Sequence, residues 1–144
     1  MGYIAITLFI IIIAHVNCLA GIPPEGLNHD VIQATLIANL TWAAEELEKE
    51  GIKVAVHHIV QIKPFLPNKS SLKDLTNSKF GGIVLDDDYV DGIAKSLSFD
   101  LMKQTNAKMS VLGLEDKTAG FYAKVDNLPP NKEKIIAEIR RMMK

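Results

Sequence analysis

Trp42-Ala43-Ala44-Glu45-Glu46-Leu47-Glu48-Lys49-Glu50-Gly51-Ile52-Lys53-Val54-Ala55-Val56, followed shortly by Ile62-Lys63-Pro64-Phe65, decides how this chain folds. Leu36, Leu40, Ala43 and Leu47 recur at helical spacing and predict a face that packs against a sheet, with Glu45, Glu48 and Lys49 turned away from it. Gly51 is placed to end that helix. The segment from Val54 to Ile62 is β-branched and mostly apolar, the composition of a parallel strand covered on both sides, and Pro64 and Pro67 close it off.

The same alternation continues downstream. Leu66 to Ser78 is polar, with Leu72 and Leu75 as anchors, and predicts a short helix. Ile83-Val84-Leu85 predicts a buried strand, with Asp86 opening the loop that leaves it. Val90, Ile93, Ala94, Leu97 and Leu101 make another helical face, and Met109 to Leu114 the next strand. Ile135, Ile136 and Ile139, with Met142 or Met143, line a last helix, where Glu133 near the start and Arg140, Arg141 and Lys144 near the end complement the helix dipole. Strands and helices in alternation predict an α/β protein, a three-layer α/β/α arrangement around a mostly parallel sheet. Upstream of the first helix, only Asp30-Val31-Ile32-Gln33-Ala34 is available for a strand.

Residues 3 to 14 form an almost uninterrupted apolar run, too short and too near the start for a comfortable membrane span. With Cys18-Leu19-Ala20 as a small-residue cleavage site, residues 1–20 read as a secretory signal peptide, although its positive charge would come from the amino terminus alone. Residues 21–29 read as a leader rich in proline and glycine, and 30–144 as the single domain. This places the protein outside the cell or in the secretory lumen, free of the membrane after cleavage. A mitochondrial or cytoplasmic location follows if the leader is not a true signal.

The only cysteine, Cys18, lies inside that signal peptide, which excludes a disulfide framework and a cysteine nucleophile from the mature chain. A net charge of -1 offers no basic excess for nucleic acid or anionic lipid. Asn39-Leu40-Thr41 and Asn68-Lys69-Ser70 are glycosylation sequons, of which the second lies in the more polar surroundings.

Three blocks carry a family resemblance: the helix, glycine, strand and Ile-Lys-Pro-Phe turn quoted above; Thr76 to Tyr89, with Gly82-Ile83-Val84-Leu85-Asp86-Asp87-Asp88-Tyr89; and Val111-Leu112-Gly113-Leu114-Glu115-Asp116 with Leu128-Pro129-Pro130 and the closing helix. Together they resemble, in order and over roughly residues 30 to 144, the C-terminal domain of the transketolase family, which includes the beta subunits of 2-oxo acid dehydrogenases. The family usually has an acidic residue where Leu66 stands and a denser glycine cluster where only Gly92 remains. The resemblance implies a domain that supports a dimer or docks a protein partner. Thiamine diphosphate is implied for full-length members only, held by domains that these blocks do not match.

Candidate site residues are few. Asp86, Asp87 and Asp88 follow one strand and Glu115 and Asp116 another, where open α/β sheets bind ligands and where carboxylates could hold a hard cation. The competing reading, that these acids cap helices and solvate loops, has the greater weight. His57 and His58, as neighbours in a strand, point to opposite faces, and neither has a third partner at useful spacing. The serines at 96, 98 and 110 lack a nucleophile elbow. The sequence thus predicts a stand-alone domain without catalysis or cofactor of its own, acting through a protein partner or a homodimer. The alternatives are the C-terminal part of a thiamine-diphosphate-dependent transketolase or 2-oxo acid dehydrogenase beta subunit, and a secreted small-ligand or cation binder.

Overall fold

The computed structural model describes residues 6–13, 29–59, 61–117 and 128–144. Along them strands and helices alternate as β1 (Ile6–Ile13), α1 (His29–Lys49), β2 (Ile52–Ile59), α2 (Lys69–Thr76), β3 (Gly82–Tyr89), α3 (Ile93–Thr105), β4 (Met109–Leu114) and α4 (Lys132–Met142). The strands form one parallel sheet in the order β2-β1-β3-β4.

β1 holds an inner position in the sheet, upstream of the domain expected from residue 30. Ile6 to Ile13 pair along their whole length with Ile52 to Ile59, and Phe9 to Ile13 pair on the other edge with Gly82 to Asp86. The sheet thus takes in part of the segment read as a signal peptide. Asp30 to Ala34, the expected first strand, lie in α1 instead. The physical reason is an ambiguity of composition: an inner parallel strand needs apolar residues of both parities, and so does the hydrophobic stretch of a signal peptide. The cleavage point at Cys18-Leu19-Ala20 and residues 21–28 lie outside the described residues.

Alternation along the strands sorts the core into two layers. On one face Ile83 and Leu85 of β3 pack with Leu36, Leu40, Ala43 and Leu47 of α1 and with Ile135, Ile136, Ile139 and Met142 of α4. On the other face Val84 packs with Leu75 of α2 and with Ala94, Leu97 and Leu101 of α3. The three-layer α/β/α arrangement, the parallel sheet and the apolar faces of α1, α3 and α4 are those expected from the sequence. Each fully buried leucine or isoleucine contributes about 1.5–3 kcal/mol relative to an exposed one. Lys132 reaches Glu46 at 3.0 Å and Arg140 reaches Glu50 at 2.6 Å, tying α4 to α1 across the surface.

One strand differs from its expected environment. β2 is an edge strand, with Lys53, Val56 and His58 exposed, where its composition suggested cover on both sides. The inner place is taken by the more continuously apolar β1. Of the signals at the helix ends, the stop at Gly51 is the one expected from the sequence. Gly51 has φ +80°, the left-handed conformation that ends α1. The Asn68 side chain accepts the Ser71 amide at the start of α2, and Asn131 does the same for Lys134 at the start of α4.

Removal of β1 leaves β2 and β3 with unpaired facing edges. A chain beginning at Gly21 is expected to lose its cooperative thermal transition and near-ultraviolet circular dichroism, whereas the chain beginning at Met1 shows both.

Candidate functional site

The winding of the sheet defines the first place to look. From β1 the chain crosses to β2 on one side, and from β2 it crosses back to β3 on the other side of β1. The direction reverses between β1 and β3, and the crevice at the carboxyl ends of two such strands is where open α/β sheets place ligands. Asp86 stands there, as the register partner of Ile13, the last residue of β1.

The structure corrects the reading of Asp86, Asp87 and Asp88 as a loop. β3 continues through all three to Tyr89, and its register with β4 shifts between Leu85 and Tyr89. Aspartate is disfavoured in strands, so the sequence ends β3 too early; the irregular pairing accommodates the acidic run. Gly113 permits this path, because a Cβ there would lie 2.4 Å from the Asp88 carbonyl oxygen. Nor does the acidic run cap α3, whose N-cap is Gly92 and whose first turn has no acidic residue.

Asp86 is fully buried. Its Oδ1 accepts the Asp87 amide at 2.9 Å, while its Oδ2 has no hydrogen-bond partner among the described residues. Burial, and then the neighbouring Asp87 charge, push its carboxyl up to about 7. An acid at the switch point that exchanges its proton near neutrality can donate or accept a hydrogen bond. Asp88 Oδ1 accepts the Tyr89 amide at 2.7 Å. Glu115 is paired with Lys117 and Lys134, each at 3.4 Å, and Lys117, then Lys134, holds its carboxyl below the usual range. Asp116 is exposed. Among the described residues no group of three or more His, Cys, Asp or Glu is placed to hold a metal ion, so the five acidic candidates do not form one ligand set.

A second feature lies beside the outer strand. The end of β2, the loop after it and the start of α2 enclose a cleft of 470 Å³. The loop contains a cis peptide bond between Lys63 and Pro64, and Gln61 Nε2 donates to the Pro64 carbonyl at 3.1 Å. His57 is half-buried and His58 exposed, as their alternation requires. His57 Nδ1 lies 2.8 Å from Ser71 Oγ, and its Nε2 lies 3.2 Å from Asp74 Oδ2. A carboxylate at Nε2 favours the tautomer with its proton there and leaves Nδ1 to accept from the serine hydroxyl.

The local sequence builds this array. Asn68 caps α2 and places Ser71 in its first turn, and Asp74 follows three residues on, so both present the same side of the helix. The sequence reading credited His57 with no third partner and missed Ser71 and Asp74. The available signal was their spacing in a capped helix directly after the strand carrying His57. Of the two sequons, Asn68 is the exposed cap of α2, and Asn39 is half-buried within α1.

The fold and these strand-end features define a three-layer α/β protein with a parallel sheet wound in both directions. No protein-family model matches the sequence, and no curated protein matches it. Among solved structures the chain is similar to one described as "Split gene transketolase, inactive beta4 tetramer", at 15% identity and a TM-score of 0.62. The similarity covers 96% of this chain and 39% of that one. The two share a fold, in agreement with the transketolase C-terminal-like architecture read from the sequence.

Asp86 gives stability a defined pH dependence. The folded state holds its proton up to about pH 7, whereas the unfolded state releases it near 3.8, so the folded state binds more protons between these values. Stability should therefore fall as pH rises from about 4 to about 7. Asp86→Asn is expected to be more stable than the parent at pH 8 by on the order of 2–4 kcal/mol, with the gap narrowing below pH 5, in urea unfolding followed across pH. Gly113→Ala is expected to cost about 1–3 kcal/mol in the same measurement, because backbone rather than a flexible side chain must move.

Proposed function

We propose that this chain is a transketolase-C-terminal-like domain that acts through protein contacts and contributes no thiamine-diphosphate chemistry of its own. The observation that carries this reading is the correspondence of nearly the whole chain to 39% of a split-gene transketolase chain whose tetramer is described as inactive. A domain of that kind supports assembly, and the remaining parts of a catalytic unit come from elsewhere.

Surface chemistry supports the reading. Trp42 is 57% exposed on α1 and Leu66 is 75% exposed beside the cleft, at the position where the resembled family usually has an acid. Phe99 and Met102 are exposed one turn apart on α3. Large apolar side chains left in water are the usual material of interface centres. The partner is a second copy of this chain or a protein carrying the cofactor-binding parts that the resemblance does not reach.

The position of β1 further supports retention of residues 6–13 in the working protein. On that reading the chain stays in the compartment of its synthesis or in the mitochondrion, and Asn39 and Asn68 carry no glycan.

The test combines light scattering with turnover. At high micromolar concentration the chain is expected to associate and, supplied with thiamine diphosphate, magnesium, a ketose donor and an aldose acceptor, to give no ketol transfer. Turnover by the chain alone would contradict the proposal, as would a strict monomer that a chain carrying the cofactor domains fails to bind.

A further inference from the structure

From the contacts among Ser71, His57 and Asp74 we infer a reactive-serine site in the cleft beside β2, one that accepts the acyl group of a small carboxylic ester. This goes beyond the assembly role, which makes no use of Ser71, His57 or Asp74. Ser71 is the nucleophile, His57 its base and Asp74 a positioning residue. Asp74 Oδ2 holds the Nε2 side of the imidazole at 3.2 Å, which turns the Nδ1 lone pair to Ser71 Oγ at 2.8 Å.

Three features surround the array with what acyl transfer needs. Ser71 and His57 both line the 470 Å³ cleft, and Ile59, Phe65 and Leu66 give it an apolar wall for the organic part of an ester. Ser71 is only 6% exposed, which favours a compact reacting group, whether an acetyl carbonyl or a small phosphonyl centre. The hydroxyl also sits in the first turn of α2, where the amides of Lys69 and Ser70 precede any intrahelical acceptor and the helix end favours developing negative charge. The Ser71 amide itself is occupied by Asn68 Oδ1 at 2.7 Å.

The step balances without any redox partner. Ser71 Oγ adds to the ester carbonyl carbon as its proton passes to His57 Nδ1. The bond from that carbon to the alcohol oxygen then breaks, and the alcohol leaves with the proton. Water, giving a proton to His57, attacks the serine ester, the bond from Ser71 Oγ to the acyl carbon breaks with return of the proton to Oγ, and a carboxylic acid departs.

Two probes test this on the full chain: a fluorophosphonate for covalent labelling and p-nitrophenyl acetate for acyl transfer. The expected result is a single fluorophosphonate adduct that peptide mapping assigns to Ser71 rather than Ser70, with hydrolysis of the acetate. Both are lost in Ser71→Ala, and labelling slows by about 100-fold in His57→Gln, the contribution typical of a general base. Asp74→Asn should slow labelling and Asp74→Glu restore it, a rescue that a purely structural carboxylate would not give. Natively folded parent protein that stays unlabelled at Ser71, or labels no faster than its urea-unfolded form, overturns the proposal. That reading needs no variant to fold.

Discussion

The arrangement depends on the insertion of Ile6–Ile13 between β2 and β3. Its backbone closes two ladders at once, from Ile52 to Ile59 on one edge and from Gly82 to Asp86 on the other. Without it the sheet would be two separate pieces, since among the described residues β2 has no other strand neighbour. The insertion also fixes which strand lies outside, and so leaves the edge of β2 open beside the cleft that His57 and Ser71 line. The helix layers follow from the winding: α1 and α4 cover one face and α2 and α3 the other.

The same insertion creates the switch point and puts Asp86 beside the end of β1. There the chain departs from ordinary strand chemistry: three aspartates in succession, an irregular register and a glycine opposite that lets the backbones approach. A buried carboxyl without a full set of partners costs stability once ionised, and the raised proton affinity of Asp86 is how the fold relieves that cost. Such departures from local rules concentrate at functional positions.

Much of this was legible in the sequence because it rests on periodicity. The apolar faces of α1 and α4, the stop at Gly51 and the cores of β3 and β4 follow directly from the spacing of Leu36 to Leu47, Ile135 to Met142, Ile83 to Leu85 and Met109 to Leu114. The first strand was not legible, because an apolar run near the start serves a leader and an inner strand equally well. Edge and centre were likewise inverted for β2, since strand order is a tertiary property. The acidic triplet hid the end of β3, and the Ser71, His57 and Asp74 array depends on how α2 packs on β2, with His57 and Ser71 14 positions apart in sequence.

The central claim is that the Ile6–Ile13 segment is part of the working fold, and native-state hydrogen exchange of its amides in protein isolated from its own cells tests it most directly. The account predicts that Ile6–Ile13 is present and exchanges as slowly as Ile83 to Leu85 of β3, opening only with the whole domain. Exchange of this segment at unfolded-chain rates while β3 stays protected, or a folded native product from which it has been removed, would contradict it.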